Sequence, residues 1–119
     1  MAAAEHDLVV DQGETFIQVL TWADDAGTGI DLYGYEARMQ VRRAYADDDT
    51  GEPFVDLTLG AGIVFTDEAA GEITITIGAD VTEATPPGAW YYDLEVESGA
   101  GAVSKLLRGR FLIRGEVTR

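Results

Sequence analysis

A chain of 119 residues, 46% of them apolar, has the size of one domain and enough apolar side chains for a packed core, which excludes a disordered polymer. Its formal net charge of -14 and pI near 4.1 argue against nucleic acid as a partner, because backbone binding needs clustered Lys and Arg to displace counterions. With no cysteine there can be no disulfide or thiolate metal site, no apolar run is long enough to span a bilayer, and Met1-Ala2-Ala3-Ala4-Glu5 lacks the basic and apolar regions of a secretion signal.

Apolar residues alternate with polar ones over short runs bounded by Gly, Asp and Pro, which is the period of strands. Leu8 to Val10 reads as a first strand, ended by Asp11-Gln12-Gly13, and Glu14 to Trp22 as a second. The second is apolar on both faces: Phe16, Leu20 and Trp22 share one parity, Ile17 and Val19 the other. A strand of this kind is buried on both sides or lies against a partner. Ala23 to Gly29 is a turn, and Ile30 to Tyr35 leads into a half-buried strand, where Ala37, Met39 and Val41 oppose Arg38, Gln40 and Arg42.

Ala46 to Pro53 is an acidic loop without an apolar anchor. Phe54 to Leu59 and Ile63 to Thr66 follow as strands, and Glu72 to Ile77 alternates most cleanly of all. Ala79 to Ala84 suits one helical turn, stopped by Pro86-Pro87-Gly88. In Ala89 to Glu97, Trp90, Tyr92, Leu94 and Val96 oppose Tyr91, Asp93, Glu95 and Glu97. A turn at Ser98-Gly99-Ala100-Gly101 leads into a long last strand, Ala102 to Ile113, where Gly109 signals a bulge or a close backbone approach. The expected fold class is therefore all-β: an immunoglobulin-like Greek-key β-sandwich of roughly seven to nine antiparallel strands, with a small barrel as the rival. No repeat or linker divides it, so residues 1–119 are expected to form a single domain.

The residues give little for catalysis. The one histidine, His6, lies in an N-terminal segment expected to fray, and the serines are Ser98 and Ser104 beside the last hairpin, so no nucleophile and base are set up together. No pair of carboxylates stands in a pocket-forming context, so no enzyme and no cofactor are expected. Asp24-Asp25 and Asp47-Asp48-Asp49 offer oxygen ligands that calcium could use, but the bidentate Glu and flanking helices of an EF-hand are missing and a solvated loop is the simpler reading. Tyr33, Tyr35, Tyr45 and Tyr91 are candidates for stacking on a sugar, while Trp22 and Trp90 fall on core parities.

Charge placement says more than charge total. All eight basic residues fall in two stretches, Arg38, Arg42 and Arg43, then Lys105, Arg108, Arg110, Arg114 and Arg119. In an immunoglobulin-like sheet the penultimate strand lies between the third and the last. Asp93, Glu95 and Glu97 are then expected between Arg38 and Arg42 on one side and Arg108 and Arg110 on the other. Such a face is either salt-bridged and solvated or a docking face that uses Arg for subunit contacts.

The segments Asp7 to Phe16, Leu20-Thr21-Trp22, Asp31 to Arg42, Pro87 to Glu95 and Leu106 to Phe111, with the closing Val117-Thr118-Arg119, resemble a family of small tailed-bacteriophage structural proteins. These are similar to the immunoglobulin-like N-terminal domain of phage baseplate upper proteins. The resemblance covers nearly the whole chain and implies a virion component, made in the host bacterial cytoplasm, that assembles with copies of itself and other virion proteins. An assembly or adaptor module of the tail, baseplate or fibre-attachment region is the expectation. A capsid decoration or cement protein and a carbohydrate-binding module, the latter with a host-surface glycan as partner, are the alternatives. Arg38, Arg42, Arg108 and Arg110 are the candidate interface, joined by Leu8, Val9 and Val10 and by Val117 and Arg119, terminal arms expected to gain order on assembly.

Overall fold

A computed structural model describes residues 4–43 and 53–115. Among these residues nine strands, one short helix and one 3-10 turn (Glu68–Ala70) are formed: β1 (Ala4–Glu5), β2 (Leu8–Asp11), β3 (Phe16–Thr21), β4 (Glu36–Arg42), β5 (Val55–Leu59), β6 (Gly62–Asp67), β7 (Glu72–Ile77), α1 (Ala79–Ala84), β8 (Gly88–Glu97) and β9 (Val103–Arg114). The hydrogen-bonded order is β1-β9-β8-β4-β5-β6-β7-β3, with β2 also on β9. The path folds over where β5 meets β6 through only two pairs, Thr58 with Gly62 and Leu59 with Ile63. Its two ends then lie face to face, and Phe16 of β3 meets Phe111 of β9 edge to face, ring centroids 6.0 Å apart.

The result is the immunoglobulin-like β-sandwich expected from the alternation, with β1, β2, β9, β8, β4 and β5 in one layer and β6, β7 and β3 in the other. The core is built from alternate residues of both layers, among them Met39, Val41, Ile63, Ile73, Ile75, Tyr92, Leu94 and Phe111. The chain changes layer four times, from β2 to β3, from β3 to β4 through residues 22–35, from β5 to β6 and from β7 to β8 through α1, as expected of a Greek-key sandwich. No helix among the described residues is long and apolar enough to cross a membrane.

Four details depart from the sequence reading. The sheet is mixed rather than wholly antiparallel, because β1 and β2 run parallel to β9. β1 precedes the first expected strand, and His6 lies between two paired segments instead of in a frayed end. The bulge of β9 falls at Leu106, between the pairs Leu94–Leu107 and Glu95–Lys105, and not at Gly109. The second expected strand, apolar on both faces, is not covered on both sides: β3 is an edge strand with Ile17 and Val19 facing out. The acidic loop, with Asp47, Asp48 and Asp49, and the candidates Tyr45, Val117 and Arg119 lie outside the described residues.

Gly109 is the close approach. A Cβ there would sit 2.4 Å from the His6 carbonyl oxygen, so only glycine lets the N-terminal segment lie against β9 at this point. The turn from β2 to β3 is held from the other side by α1. Gly13, at φ 88°, donates its N–H to Thr82 Oγ1, while Gln12 Nε2 donates to the carbonyls of Glu83 and Thr85. Thr82, buried, donates in turn to the Glu14 carbonyl at 2.7 Å.

Candidate interaction surface

The outward face of β9, β8 and β4 carries the charged ribbons. The β4–β8 register sets Arg38 opposite Glu95, Gln40 opposite Asp93 and Arg42 opposite Tyr91. On the other flank, Arg108 lies opposite Asp93 and Arg110 opposite Tyr91, while the Leu106 bulge brings Lys105 opposite Glu95. Without that extra residue, Lys105 and Arg108 could not share a face, since their odd separation would send them to opposite sides.

Glu95 is the centre of this face. Its carboxylate is almost wholly buried and accepts from both Arg38 Nε and Lys105 Nζ, and Lys105 also reaches Asp93 at 3.2 Å. Burial pushes the Glu95 carboxyl up, but the hydrogen bonds from Lys105 and Arg38 together outweigh it and hold the group below its ordinary value. Burial likewise acts to lower Lys105, and its bonds to Glu95 and Asp93 raise it instead. Beside this triad, Glu36, Arg38, Thr58, Glu95 and Glu97 line a cleft of about 240 Å³. Glu36 lies directly opposite Glu97 there, a like-charge cross-strand pair.

The arginines of β9 turn the other way, toward the N-terminal strands. Arg108 pairs with Glu5 at 3.4 Å, Arg110 with Asp7 at 3.0 Å, and Arg114 with Asp11 through two bonds of 2.6 and 2.8 Å. The backbone N–H of Arg110 holds Asp7 well below the usual carboxylate range, aided by its guanidinium, and the Arg114 side chain does the same for Asp11. These three partners were not singled out in the sequence. Their signal was there: Glu5, Asp7 and Asp11 have the same spacing as Arg108, Arg110 and Arg114, as a parallel ladder of constant register requires.

Of the expected interface residues, Arg38, Arg108 and Arg110 thus each hold a carboxylate within the chain. Arg42 donates to Gln40 Oε1 at 3.2 Å on its own strand. Leu8 and Val10 are in the core, paired with Phe111 and Ile113, so they are not free to serve a partner; Val9, half exposed, is the outward residue of that trio. They are buried because β2 supplies one flank of the layer and its even-numbered residues face inward. Asp24 Oδ1 accepts from the Ala26 and Thr28 amides, which closes its own turn, and no group of three or more candidate ligand side chains gathers among the described residues. Tyr33 is 81% exposed, whereas Tyr35 packs edge to face on Trp22 and Tyr91 is half-buried within β8. Trp90 is buried against Phe54 and under the Arg43 guanidinium, and Trp22 packs on the core from its margin.

No protein-family model matches the chain, and no curated protein does. Among solved structures it is similar to CopC from Methylosinus trichosporium OB3b, at 13% identity and a TM-score of 0.49, over 100% of this chain and 90% of that one. It is also similar to Drosophila OTK extracellular domains 3-5, at 14% identity and a TM-score of 0.38, where 90% of this chain spans only 32% of the other. Likenesses at these identities and scores carry no argument about what the chain binds.

Proposed function

We propose that the chain is a bacteriophage virion structural protein, an assembly or adaptor module of the tail, baseplate or fibre-attachment region that works by binding rather than catalysis. The observation that supports this reading is the sequence resemblance, whose described segments occupy β2 and its turn, the two ends of β3, β4 with its approach, β8 and β9. Apart from those in β3 they lie in one layer of the sandwich, with its charged face and the fastening of its N-terminal strands. A module built this way offers partners a rigid platform whose outward charges are already organised. Its partners under this reading are copies of itself and neighbouring virion proteins.

Arg42→Glu combined with Arg110→Glu tests the platform directly: incorporation into particles should fall. Normal incorporation with only a shifted melting temperature would mean that the charged face serves the fold alone. One observation bears on the glycan alternative. Tyr33 is the single ring among the described tyrosines that stands open to solvent, and a sugar platform ordinarily needs more than one. Oligosaccharide binding that depends on Tyr33 or Tyr91 would replace the assembly reading.

A further inference from the structure

β3 ends the strand path. Among the described residues it pairs with β7 on one side and with no strand on the other. Native sheets guard such an edge with a charge, a proline, a bulge or a covering element. β3 lacks the first three: of the nine described strands it alone carries no charged residue, it holds no proline, and its six pairs with β7 run without a register shift. Its outward face is apolar as well, with Ile17 60% and Val19 52% exposed and Val64 of the same layer 53% exposed.

The backbone of this edge is set for pairing. Trp22 N–H donates to the Gly71 carbonyl on the β7 side, so the alternation of an antiparallel ladder points the amides of Phe16, Gln18 and Leu20 toward β7. Those of Ile17, Val19 and Thr21 point to the open edge. There the Gln18 side-chain amide reaches over to the Val19 carbonyl at 3.3 Å, a long, exposed bond that an incoming strand can replace.

Register names the occupant. The six residues of β3 carry no charge, so an antiparallel copy of the same strand opposes apolar to apolar side chains and sets no two like charges together across the pair. We propose that the chain self-associates by antiparallel pairing of β3 with β3 of a second copy, about a two-fold axis through Gln18. That register sets Ile17 opposite Val19 of the second copy, Thr15 opposite Thr21 and Glu14 opposite Trp22. Moving the axis to Val19 would oppose Glu14 to Asp24. The contact is isologous and closes at two copies, joining two β6-β7-β3 layers into one continuous sheet. It does not depend on where the chain resides and can be tested on the free protein.

The test is the mass of the purified chain by light scattering or sedimentation. A dimer is expected, converted to monomer by Val19→Lys with the circular dichroism spectrum kept, and unaffected by Val9→Lys on the opposite edge. Because the chain has no cysteine, Gln18→Cys adds an independent reading. At the axis the two Cα atoms of a non-hydrogen-bonded pair approach closely, so mild oxidation should link the copies covalently. A monomer at every concentration overturns the proposal. So does a dimer that survives Val19→Lys while Gln18→Cys fails to cross-link, or open filaments, which would mean that β3 takes the β1-β2 edge of the next copy. Should Val19→Lys unfold the chain, the Gln18→Cys cross-link decides.

Discussion

The Tyr92 hydroxyl donates a hydrogen bond of 2.6 Å to the carbonyl oxygen of His6, joining residues 86 apart in the sequence. Tyr92 pairs with Gly109 across β8 and β9, and the carbonyl lies just where a side chain on Gly109 would be. A core tyrosine and a missing side chain together dock the N-terminal segment onto β9. Tyr92→Phe should therefore destabilise the fold by about 1–2 kcal/mol, the cost of leaving a half-buried acceptor unpaired. Hydrogen exchange should show the loss of protection concentrated at the His6 amide, which donates to the Arg108 carbonyl, with the β4–β8 ladder unchanged.

Gly109→Ala makes the complementary change. A methyl group 2.4 Å from the His6 oxygen forces the segment or β9 to move, and overpacking of this kind costs roughly 1–3 kcal/mol. Gly99→Ala, where the added Cβ meets its nearest neighbour at an ordinary 3.6 Å, should be close to neutral. Urea denaturation of the pair would show equal losses if the close approach did not matter.

Removing Glu95 leaves Arg38 and Lys105 without their shared acceptor. Glu95→Ala should cost about 1–2 kcal/mol, more than Asp93→Ala, whose carboxylate is 40% exposed and bonds Lys105 at 3.2 Å. Equal effects in thermal unfolding would show that burial does not set the weight of these pairs.

Acid should loosen the same face. Asp7, Asp11 and Glu95 all titrate below their ordinary values when folded, so the stability they supply is complete above the unfolded carboxylate range, about pH 4, and is lost as the pH falls through the lowered folded values. Chemical denaturation should show stability falling below that range. The double variant Asp7→Asn, Asp11→Asn should show a shallower fall, and an unchanged slope would mean that these carboxylates are not coupled to folding.

Alternation made most of the sandwich readable. Glu72 to Ile77 and Ala79 to Ala84 have the bounds expected from their residues, and β4, β8 and β9 take the expected order, because inward apolar and outward charged positions leave one register. The rest depended on contacts far apart in sequence. β1 and β2 could be assigned to β9 only by matching the acidic spacing near the start to the basic spacing near the end. The bulge at Leu106 was hidden because Leu106 and Leu107 are equally apolar, so period alone cannot say which one is extra. β3 stays ambiguous in the sequence for a physical reason: an edge strand with an apolar outward face and a strand buried on both faces have the same composition.

The virion reading is tested most directly by locating the chain on purified phage particles. Banded particles would be analysed for the chain by mass spectrometry and imaged by electron cryomicroscopy with the chain labelled. The expected result is a fixed copy number at the tail, baseplate or fibre-attachment region, in symmetric positions. Its absence from particles while it remains abundant in the lysate would contradict the reading, and density on the capsid lattice alone would make it a decoration protein.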